Sequence, residues 1–255
     1  MLIIKIGGSV ITDKAGFEKI NPRGLTSFAS TLARFCAAHP QQPIVLVHGA
    51  GSFGHPHVAK HGLSTPPASR APDAKRAAGV VATQAAVAKL NTALVGMLNA
   101  AGVPAKGVLT RHCALTSEGR LQSLDLSSIQ LAWKSGAIPV LPGDIVPDLQ
   151  WGQAVLSGDQ IVSYLGKDAE RIVVLTSTEG ILKEGKSVER IDRGNLDSVI
   201  GHVTGADVLD VTGGMRGKLM EMLSIGKPVA ILSASDESNV LAALEGKPFR
   251  GTLLG

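Results

Sequence analysis

The chain has 255 residues, of which 44% are hydrophobic and 18% charged, and its formal net charge is +4. A chain of this length can bury an aliphatic core without disulfide or metal staples, and its composition excludes a disordered protein. The small and scattered positive charge is unlike a nucleic-acid-binding surface, so we expect no nucleic acid partner, whereas an anionic small molecule is compatible with it.

The N-terminus and the cysteines bear on where the protein works. The first ten residues are largely apolar, but Lys5 interrupts them and charged residues follow before a run of membrane length develops. Cys36 and Cys113 form neither a C-x-x-C pair nor a metal-ligand spacing, so we expect both to be buried as small hydrophobic side chains. The sequence predicts a soluble, cytoplasmic protein with no membrane segment.

Short β-branched runs alternate along the chain with longer segments of helical period. This alternation predicts βαβ units and an α/β fold, with a mainly parallel open sheet sandwiched by helices. The predicted strands are 2–6, 43–47, 103–109, 138–141, 171–175 and 228–232. The predicted helices are 25–38, 73–100, 127–134, 158–165, 215–225 and 237–244. Because no repeat or linker interrupts them, we expect a single domain over 1–255.

The segment 74–101 is rich in alanine and lacks proline. Its larger apolar residues, Val80, Val87, Leu94 and Leu98, recur at helical spacing and share one face. This face is typical of a helix packed on the core, and the small residues around it would also leave room for an apolar ligand. The preceding segment 62–72 contains three prolines and predicts a loop, which is a candidate lid.

The first glycine motif lies at the end of the first predicted strand. Gly7, Gly8 and Ser9 follow it directly, and Lys5 lies just before them. Adjacent glycines let backbone N–H groups approach a phosphate, and the lysine can reach the same anion. A glycine turn without function remains an alternative interpretation of this motif alone.

The second motif follows the next strand and is more specific. Gly49, Ala50, Gly51 and Gly54 belong to a G-A-G-S-F-G loop that His55 closes. Glycines at the carboxyl end of a strand form a nest of N–H groups where open α/β sheets bind ligands. The loop lacks the G-K-[ST] ending of a Walker A motif. It also does not follow the first strand of a dinucleotide fold, in which a ribose-binding acid comes about 20 residues later.

Histidines are concentrated around this loop. Four of the seven, His48, His55, His57 and His61, lie within 14 residues. A metal site is one interpretation, but no carboxylate or cysteine joins them and a glycine loop is a poor frame for ligands. We favour His55 as a donor to a bound phosphate and His48 as a structural residue, and we predict no metal ligand from the protein.

Two aspartates follow glycines in the middle of the chain. Asp144 comes after a predicted strand, and Asp159 opens a predicted helix in the sequence S-G-D. Asp159 alone is consistent with a helix N-cap, and an alternative role is to hold lysines or a magnesium-bound nucleotide.

The last motif, T-G-G-M-R-G-K, heads a predicted helix. It contains Gly214 and ends at Lys218. Glycines, a helix N-terminus and a lysine again describe an anion site. Three such sites in one domain indicate a nucleoside triphosphate together with a second phosphorylated or acidic substrate.

The motifs K-x-G-G-S, H-G-x-G-S-F-G-H, G-D, S-G-D, L-T and T-G-G-M-x-x-K occur in an order that resembles the amino acid kinase superfamily. Within it, the histidine-closed loop resembles that of the isopentenyl phosphate kinases. The resemblance extends from Lys5 to Lys218. It implies the amino acid kinase-like fold, with an acceptor-binding N-lobe over about 1–170 and a nucleotide-binding C-lobe over 171–255. It also implies ATP-dependent phosphorylation of isopentenyl phosphate to isopentenyl diphosphate, Mg²⁺ accompanying ATP, and a homodimer.

The resemblance implies a role for each matching residue. The residues implied in catalysis are Lys5, Lys14, His55, Asp159 and Lys218. Those implied in ATP binding are Lys5, Gly7, Gly8, Ser9, Ala50, Thr176, Gly214 and Lys218. Those implied in substrate binding are Gly49, Gly54, His55 and Asp159.

Two other functions remain compatible with these motifs. A fosfomycin-type kinase shares the fold and a similar histidine loop, and acceptor preference would separate the two. A non-catalytic nucleotide-binding protein is a different class, and the lysines at 5, 14 and 218 argue against it. The histidine-closed loop is less similar to the corresponding loops of the kinases that act on acetylglutamate, aspartate, carbamate or uridylate.

Overall fold

The computed structural model describes residues 1–13, 15–68, 73–200 and 214–255, with the backbone alone at 214 and 215. The strands in chain order are β1 (Leu2–Ile6), β2 (Ile44–His48), β3 (Ala105–Gly107), β4 (Ala114–Ser117), β5 (Arg120–Leu124), β6 (Ile138–Pro142), β7 (Asp144–Asp148), β8 (Gly152–Leu156), β9 (Arg171–Thr176), β10 (Leu182–Lys183), β11 (Lys186–Ser187), β12 (Arg190–Ile191), β13 (Val229–Ser233) and β14 (Thr252–Leu254). The helices are α1 (Gly8–Ile11), α2 (Pro22–Ala38), α3 (His55–Lys60), α4 (Ala74–Ala100), α5 (Ser127–Lys134), α6 (Gly158–Gly166), α7 (Leu196–Ile200), α8 (Gly214–Leu223) and α9 (Glu237–Glu245).

A central sheet of eight strands has the order β12-β14-β13-β9-β1-β2-β6-β3. From β13 to β3 all neighbouring strands are parallel, and Ile4 lies opposite both Leu46 and Val173. Among the described strands of this sheet, only β14 runs antiparallel to a neighbour, which is β13. Since parallel strands end at the same edge, the loops after β1, β2, β6 and β9 meet on one side of the molecule.

Apolar layers cover both faces of this sheet, as the continuous apolar strands predict. On one face, β1, β2 and β9 pack against α2, α4 and α9, with Leu32, Leu90 and Leu244 fully buried. On the other face, α5, α6 and α8 cover the sheet through residues such as Ile161 and Leu219. The predicted α/β sandwich is confirmed.

Helix α4 combines two environments. Asp73 caps it by accepting a hydrogen bond from the N–H of Arg76 at 3.0 Å, which explains why the helix begins where the proline-rich loop ends. Its length and apolar composition would allow it to cross a membrane. Within this fold, however, Leu94 and Leu98 are fully buried in the core, as in the central helix of a globular domain.

The structure also contains a second sheet, of order β5-β4-β7-β8, which the sequence pattern did not predict. Asp148 organises one end of it by accepting hydrogen bonds from the N–H groups of Gly119 at 2.9 Å and Trp151 at 2.8 Å and from the Thr116 hydroxyl at 2.8 Å. The hairpin of β7 and β8 leads directly into α6. This sheet therefore brings the Asp144 and Asp159 segments to the same place.

The structure corrects two predictions about local structure. The strand expected over 103–109 is only three residues long, and Pro104 has no N–H to extend the ladder at its beginning. Cys36 and Cys113 are free and only half-buried, although both pack beside the core clusters. Desolvation of the Cys113 thiol still raises its pKa to about 11, so this residue is an inert thiol at neutral pH.

Candidate active site

A cleft of about 440 Å³ lies at the carboxyl edge of the central sheet. Its walls come from the loops after β1, β2, β6, β8 and β9 and from α3, α4 and α8. The predicted site residues that line it are Lys5, Gly7, Gly8, Ser9, Gly49, Ala50, Gly54, His55, Asp159, Thr176 and Lys218. Gly214 is the first residue of α8, one turn before Lys218. Lys14 and the first residues of the T-G-G-M motif lie outside the described residues.

In the middle of the cleft the first two glycine loops touch through their backbones. A Cβ atom on Gly8 would lie 2.4 Å from the nitrogen of Gly51, and one on Gly49 would lie 2.9 Å from the nitrogen of Gly8. Gly51 also has a φ of +50°, in the left-handed region that favours glycine. These loops therefore need glycine in order to approach each other, which is a stronger constraint than the turn alone.

Lys5 and Asp159 form a buried ion pair that links β1 to the first turn of α6. The cap of α6 is Ser157, whose hydroxyl accepts a hydrogen bond from the N–H of Gln160 at 3.3 Å. The N-cap interpretation of Asp159 is therefore wrong. Its carboxylate instead fixes the Lys5 ammonium group beside the cleft, and the two residues lie 154 positions apart in sequence.

Thr12 and Glu18 bond to the second glycine loop and to the helix that follows it. The Thr12 hydroxyl donates to the carbonyl of Gly8 at 2.7 Å and accepts from the N–H of Ser52 at 3.1 Å. Further along, Glu18 contacts His57 at 2.9 Å and Lys89 at 3.2 Å. These bonds hold the pKa of Glu18 below its usual range, chiefly through His57. Sequence reasoning missed this cluster because its members come from three distant segments.

One end of the cleft is apolar. Val58 of α3, Val87 of α4, and Ile145 and Val155 of the β7–β8 hairpin line it together with Thr83. The Thr83 hydroxyl is satisfied within the helix by the carbonyl of Gly79 at 2.7 Å. The core-helix interpretation is confirmed for the second half of α4, and from its first half Thr83 and Val87 line the cleft. Room for an apolar ligand beside this helix stays a prediction.

A buried ion pair supports this apolar end. Arg111 donates to the carboxylate of Asp144 at 2.7 Å and to the carbonyl of Gln84 in α4 at 2.6 Å. Burial raises the pKa of Asp144 to about 6, although Arg111 acts in the opposite direction. The pair ties α4 to the start of β7, and nothing in the local sequence around Arg111 indicates this role.

The opposite end of the cleft is lined by the loop after β9 and by the base of α8. The Thr176 hydroxyl donates to the carbonyl of Thr178 at 2.8 Å, and the hydroxyls of Ser9 and Ser177 lie 3.2 Å apart. Leu219, Met222, Ile181 and Ile231 add apolar surface here. The cleft therefore has two apolar ends with the cations and glycine loops between them.

The histidines have separate roles. His48 is fully buried, and its Nδ1 lies 3.1 Å from the carbonyl oxygen of Gly49. Desolvation outweighs its hydrogen bonds and lowers its pKa to about 4. His57 pairs with Glu18, His61 lies 3.1 Å from the carbonyl of Lys75, and His55 begins α3 at the cleft. Within the described ranges, no group of three or more His, Cys, Asp or Glu side chains is arranged to hold a metal.

This combination of fold, glycine loops and paired lysine defines a class of phosphate-transferring enzymes. The model of the amino acid kinase family matches residues 1–231. The chain therefore belongs to the amino acid kinase family, and within it to the isopentenyl phosphate kinases, because relatives with that name are more than 30% identical over nearly their whole length.

Three relatives illustrate the similarity. The chain is 33% identical to the isopentenyl phosphate kinase of Methanothermobacter thermautotrophicus, covering 99% of this chain and 98% of the relative. It is 32% identical to that of Haloferax volcanii, covering 95% of each. A solved structure described as isopentenyl phosphate kinase superposes with a TM-score of 0.80 at 28% identity and covers 99% of both chains.

Proposed function

We propose that this protein transfers the γ-phosphoryl group of ATP to isopentenyl phosphate, forming isopentenyl diphosphate and ADP. The observation that carries this proposal is a cleft with the buried Lys5, the half-buried Lys218 and the glycine loops in its middle and with apolar surface at each end. An isoprenoid monophosphate joins an anionic phosphate to an apolar tail, and a nucleotide joins anionic phosphates to a nucleoside whose flat aromatic base packs on apolar side chains. Two such molecules fit this cleft with their phosphates facing each other.

The proposed chemistry relies on charge and positioning. A phosphomonoester has a second pKa of about 6, so its attacking oxygen is already anionic at neutral pH and needs no general base. We assign Lys5, Lys14 and Lys218 to neutralise the phosphates as they approach, and Asp159 to orient Lys5. An in-line transfer through a largely dissociative transition state is stabilised by cations and backbone donors of this kind.

We assign the acceptor to the N-lobe, approximately residues 1–170. Backbone N–H groups of Gly49 and Gly54 and the side chain of His55 would bind its phosphate. The apolar tail would contact Val87 and Val155, and burial supplies about 0.8 kcal/mol for each CH₂ group. Because such surface recognises no polar group, chain length and shape decide which alcohol phosphates fit.

We assign ATP to the other end of the cleft, against the C-lobe of residues 171–255. Gly7, Gly8, Ser9, Ala50 and Gly214 would hold its phosphates, and the loop at Thr176 would lie near the adenosine. Among the described residues, the carboxylates that line the cleft are Asp144 and Asp159, and they are already paired with Arg111 and Lys5. Mg²⁺ would therefore enter as part of the MgATP substrate, with ligands from the phosphates and water rather than from the protein.

The remaining assignments follow from the same class of enzyme. We propose a soluble, cytoplasmic protein that works as a homodimer, with small-molecule substrates and no nucleic acid partner. Size-exclusion chromatography with light scattering on the purified chain would test the dimer, and a monomer at micromolar concentration would contradict it.

A coupled assay tests the proposed reaction by following ADP release from MgATP with four acceptors in parallel. These are isopentenyl phosphate, dimethylallyl phosphate, geranyl phosphate and fosfomycin. We expect the highest kcat/KM with isopentenyl phosphate, and phosphorus NMR should identify a diphosphate product. Faster turnover of fosfomycin would assign the chain to the alternative kinase, and no turnover of any acceptor would favour a nucleotide-binding protein.

A further inference from the structure

His48 is a buried titratable residue that the proposed reaction does not use. It lies at the end of β2, where Ile44, Leu46 and His48 alternate on the face that packs against α2 and α4. The side chain has no exposed surface and does not line the cleft, so it cannot contact a substrate. A polar ring in this position needs a reason other than binding or proton transfer.

The hydrogen bond of His48 fixes its tautomer. Its Nδ1 lies 3.1 Å from the carbonyl oxygen of Gly49, which can only accept, so Nδ1 carries the proton. Burial keeps the ring neutral at physiological pH, because the charged form is disfavoured in this environment. The ring is therefore a neutral donor whose Nδ1 is aimed at one particular peptide group. Its other nitrogen, Nε2, has no hydrogen-bond partner within the described residues, and the Asn91 side chain is the polar group nearest to the ring on that side.

That peptide group is the first one beyond the sheet. The N–H of Gly49 still donates to the carbonyl of Ile6 at 3.0 Å, as a continuation of the ladder between β1 and β2. The Gly49–Ala50 peptide has no such partner in the sheet, and glycine itself permits many orientations of it. The His48 ring supplies the missing restraint.

Because the Gly49–Ala50 peptide is trans, the restraint on its carbonyl also sets the direction of its N–H group. Its C=O and N–H groups point in opposite directions, and the described chain has no cis peptide bond. Because the Gly49 carbonyl is drawn toward the buried ring, the N–H of Ala50 points away from the core. Ala50 lines the cleft, and its N–H makes no hydrogen bond with the rest of the described residues.

We infer that His48 is a positioning residue that orients the Gly49–Ala50 peptide so that the N–H of Ala50 faces the bound phosphate. The geometry of this peptide follows from the fold alone, whereas the identity of the anion rests on the proposed function. The ring acts before substrate arrives and therefore preorganises a donor that would otherwise have to be oriented on binding.

Two amide substitutions separate this role from packing. The side-chain nitrogen of His48→Asn overlays Nδ1, whereas that of His48→Gln overlays Nε2 and its side chain is closer to histidine in size. We expect His48→Asn to keep the dissociation constant for ADP and kcat within about threefold of the unsubstituted chain. We expect His48→Gln to weaken ADP binding and lower kcat, each by tenfold or more. If His48 only fills space, His48→Asn should be the more damaging substitution, because glutamine is closer to histidine in size. Equal effects of the two substitutions on ADP binding would overturn the inference.

A second measurement needs no stable variant. Nitrogen-15 NMR of the full chain with labelled histidine reports the tautomer of each ring, and the His48 signal is the one that His48→Asn removes, or the one slowest to exchange with solvent if that variant does not fold. We expect a neutral ring protonated at Nδ1 at pH 7. A ring protonated at Nε2, or charged, would contradict the inference. Neither this result nor ADP binding depends on turnover of isopentenyl phosphate, so failure of the proposed function would be recognised separately.

Discussion

In the middle of the cleft, glycine backbones of two loops touch and a buried lysine is fixed by a carboxylate, whereas at the apolar end assigned to the acceptor, side chains from α3, α4, β7 and β8 meet. The geometry of the middle is set by backbone atoms and by a few charged side chains. The apolar end depends on the size of Val58, Val87, Ile145 and Val155. The comparison teaches that a change in the middle should alter the rate with every substrate, while a change at the apolar end should alter the choice of acceptor.

The strongest test of this contrast removes the central cation. Lys5→Met should lower kcat by about 1,000-fold, because one charge pair at 4 Å is worth roughly 4 kcal/mol at an effective dielectric of about 20. The coupled ADP-release assay measures kcat, and thermal unfolding monitors the cost of leaving Asp159 unpaired. Lys60→Met is the matched control, since Lys60 is exposed on α3 and away from the cleft. A decrease of less than tenfold would show that Lys5 is not central.

The second test concerns the buried ring behind the glycine loop. The pKa of His48 is lowered from 6.5 to about 4, so the unfolded chain takes up a proton at a higher pH than the native one. The contribution of this group to the free energy of unfolding is therefore fully present above pH 6.5. It decreases as the pH falls from 6.5 toward 4, and the total decrease is about 3 kcal/mol. Urea unfolding at several pH values should show this loss in the unsubstituted chain and not in His48→Asn. Parallel curves for the two proteins would contradict the assigned pKa.

A third test inserts one atom where the two loops touch. Gly8→Ala places a Cβ atom against the backbone of Gly51, so the loops must separate. We expect kcat/KM to fall by about 100-fold with every acceptor, as expected for a displacement of roughly 1 Å at a reacting centre. Gly96→Ala on α4 is the control, because that Cβ meets nothing within 4 Å. The control should keep its kinetics and gain about 0.5–1 kcal/mol in stability.

We expect the smallest effect from a substitution at the apolar end assigned to the acceptor. Val155→Phe narrows this end and should raise the KM for isopentenyl phosphate by at least about tenfold, since a misfit of even one methylene in an apolar pocket costs about 1–3 kcal/mol and phenylalanine adds more than that. The KM for ATP should stay within twofold. Val81→Phe provides the control, because Val81 lies on the exposed side of α4. Equal increases for both substrates would mean that Val155 does not border the acceptor tail.

Sequence reasoning predicted what depends on local pattern. The bounds of β1 and α5 agree residue for residue with the prediction, because apolar runs and helical period are local properties. The second sheet was missed because its strands are short and partly exposed, and Arg120–Leu124 has no alternating apolar face. Pro147 within Asp144–Asp148 also obscures the strand pattern.

The candidate site divides in the same way. Glycine loops after strands could be recognised because their spacing is local, and the resemblance placed both Lys5 and Asp159 among the residues implied in catalysis. The contacts of Arg111 with Asp144 and of Glu18 with His57 join residues 33 and 39 positions apart, and no pattern within either segment indicates its partner. The role of His48 depends on the orientation of the Gly49–Ala50 peptide, and only the three-dimensional structure reveals that orientation.

The contact between Gly8 and Gly51 has a consequence for how such a site can change over time. Its closest approach is fixed by the radii of backbone atoms, so no exchange of side chains elsewhere can bring the two loops nearer. Side chains at the apolar end can be exchanged without touching that contact. New acceptors could therefore be accommodated by substitutions at one end while the spacing of the loops in the middle stays the same.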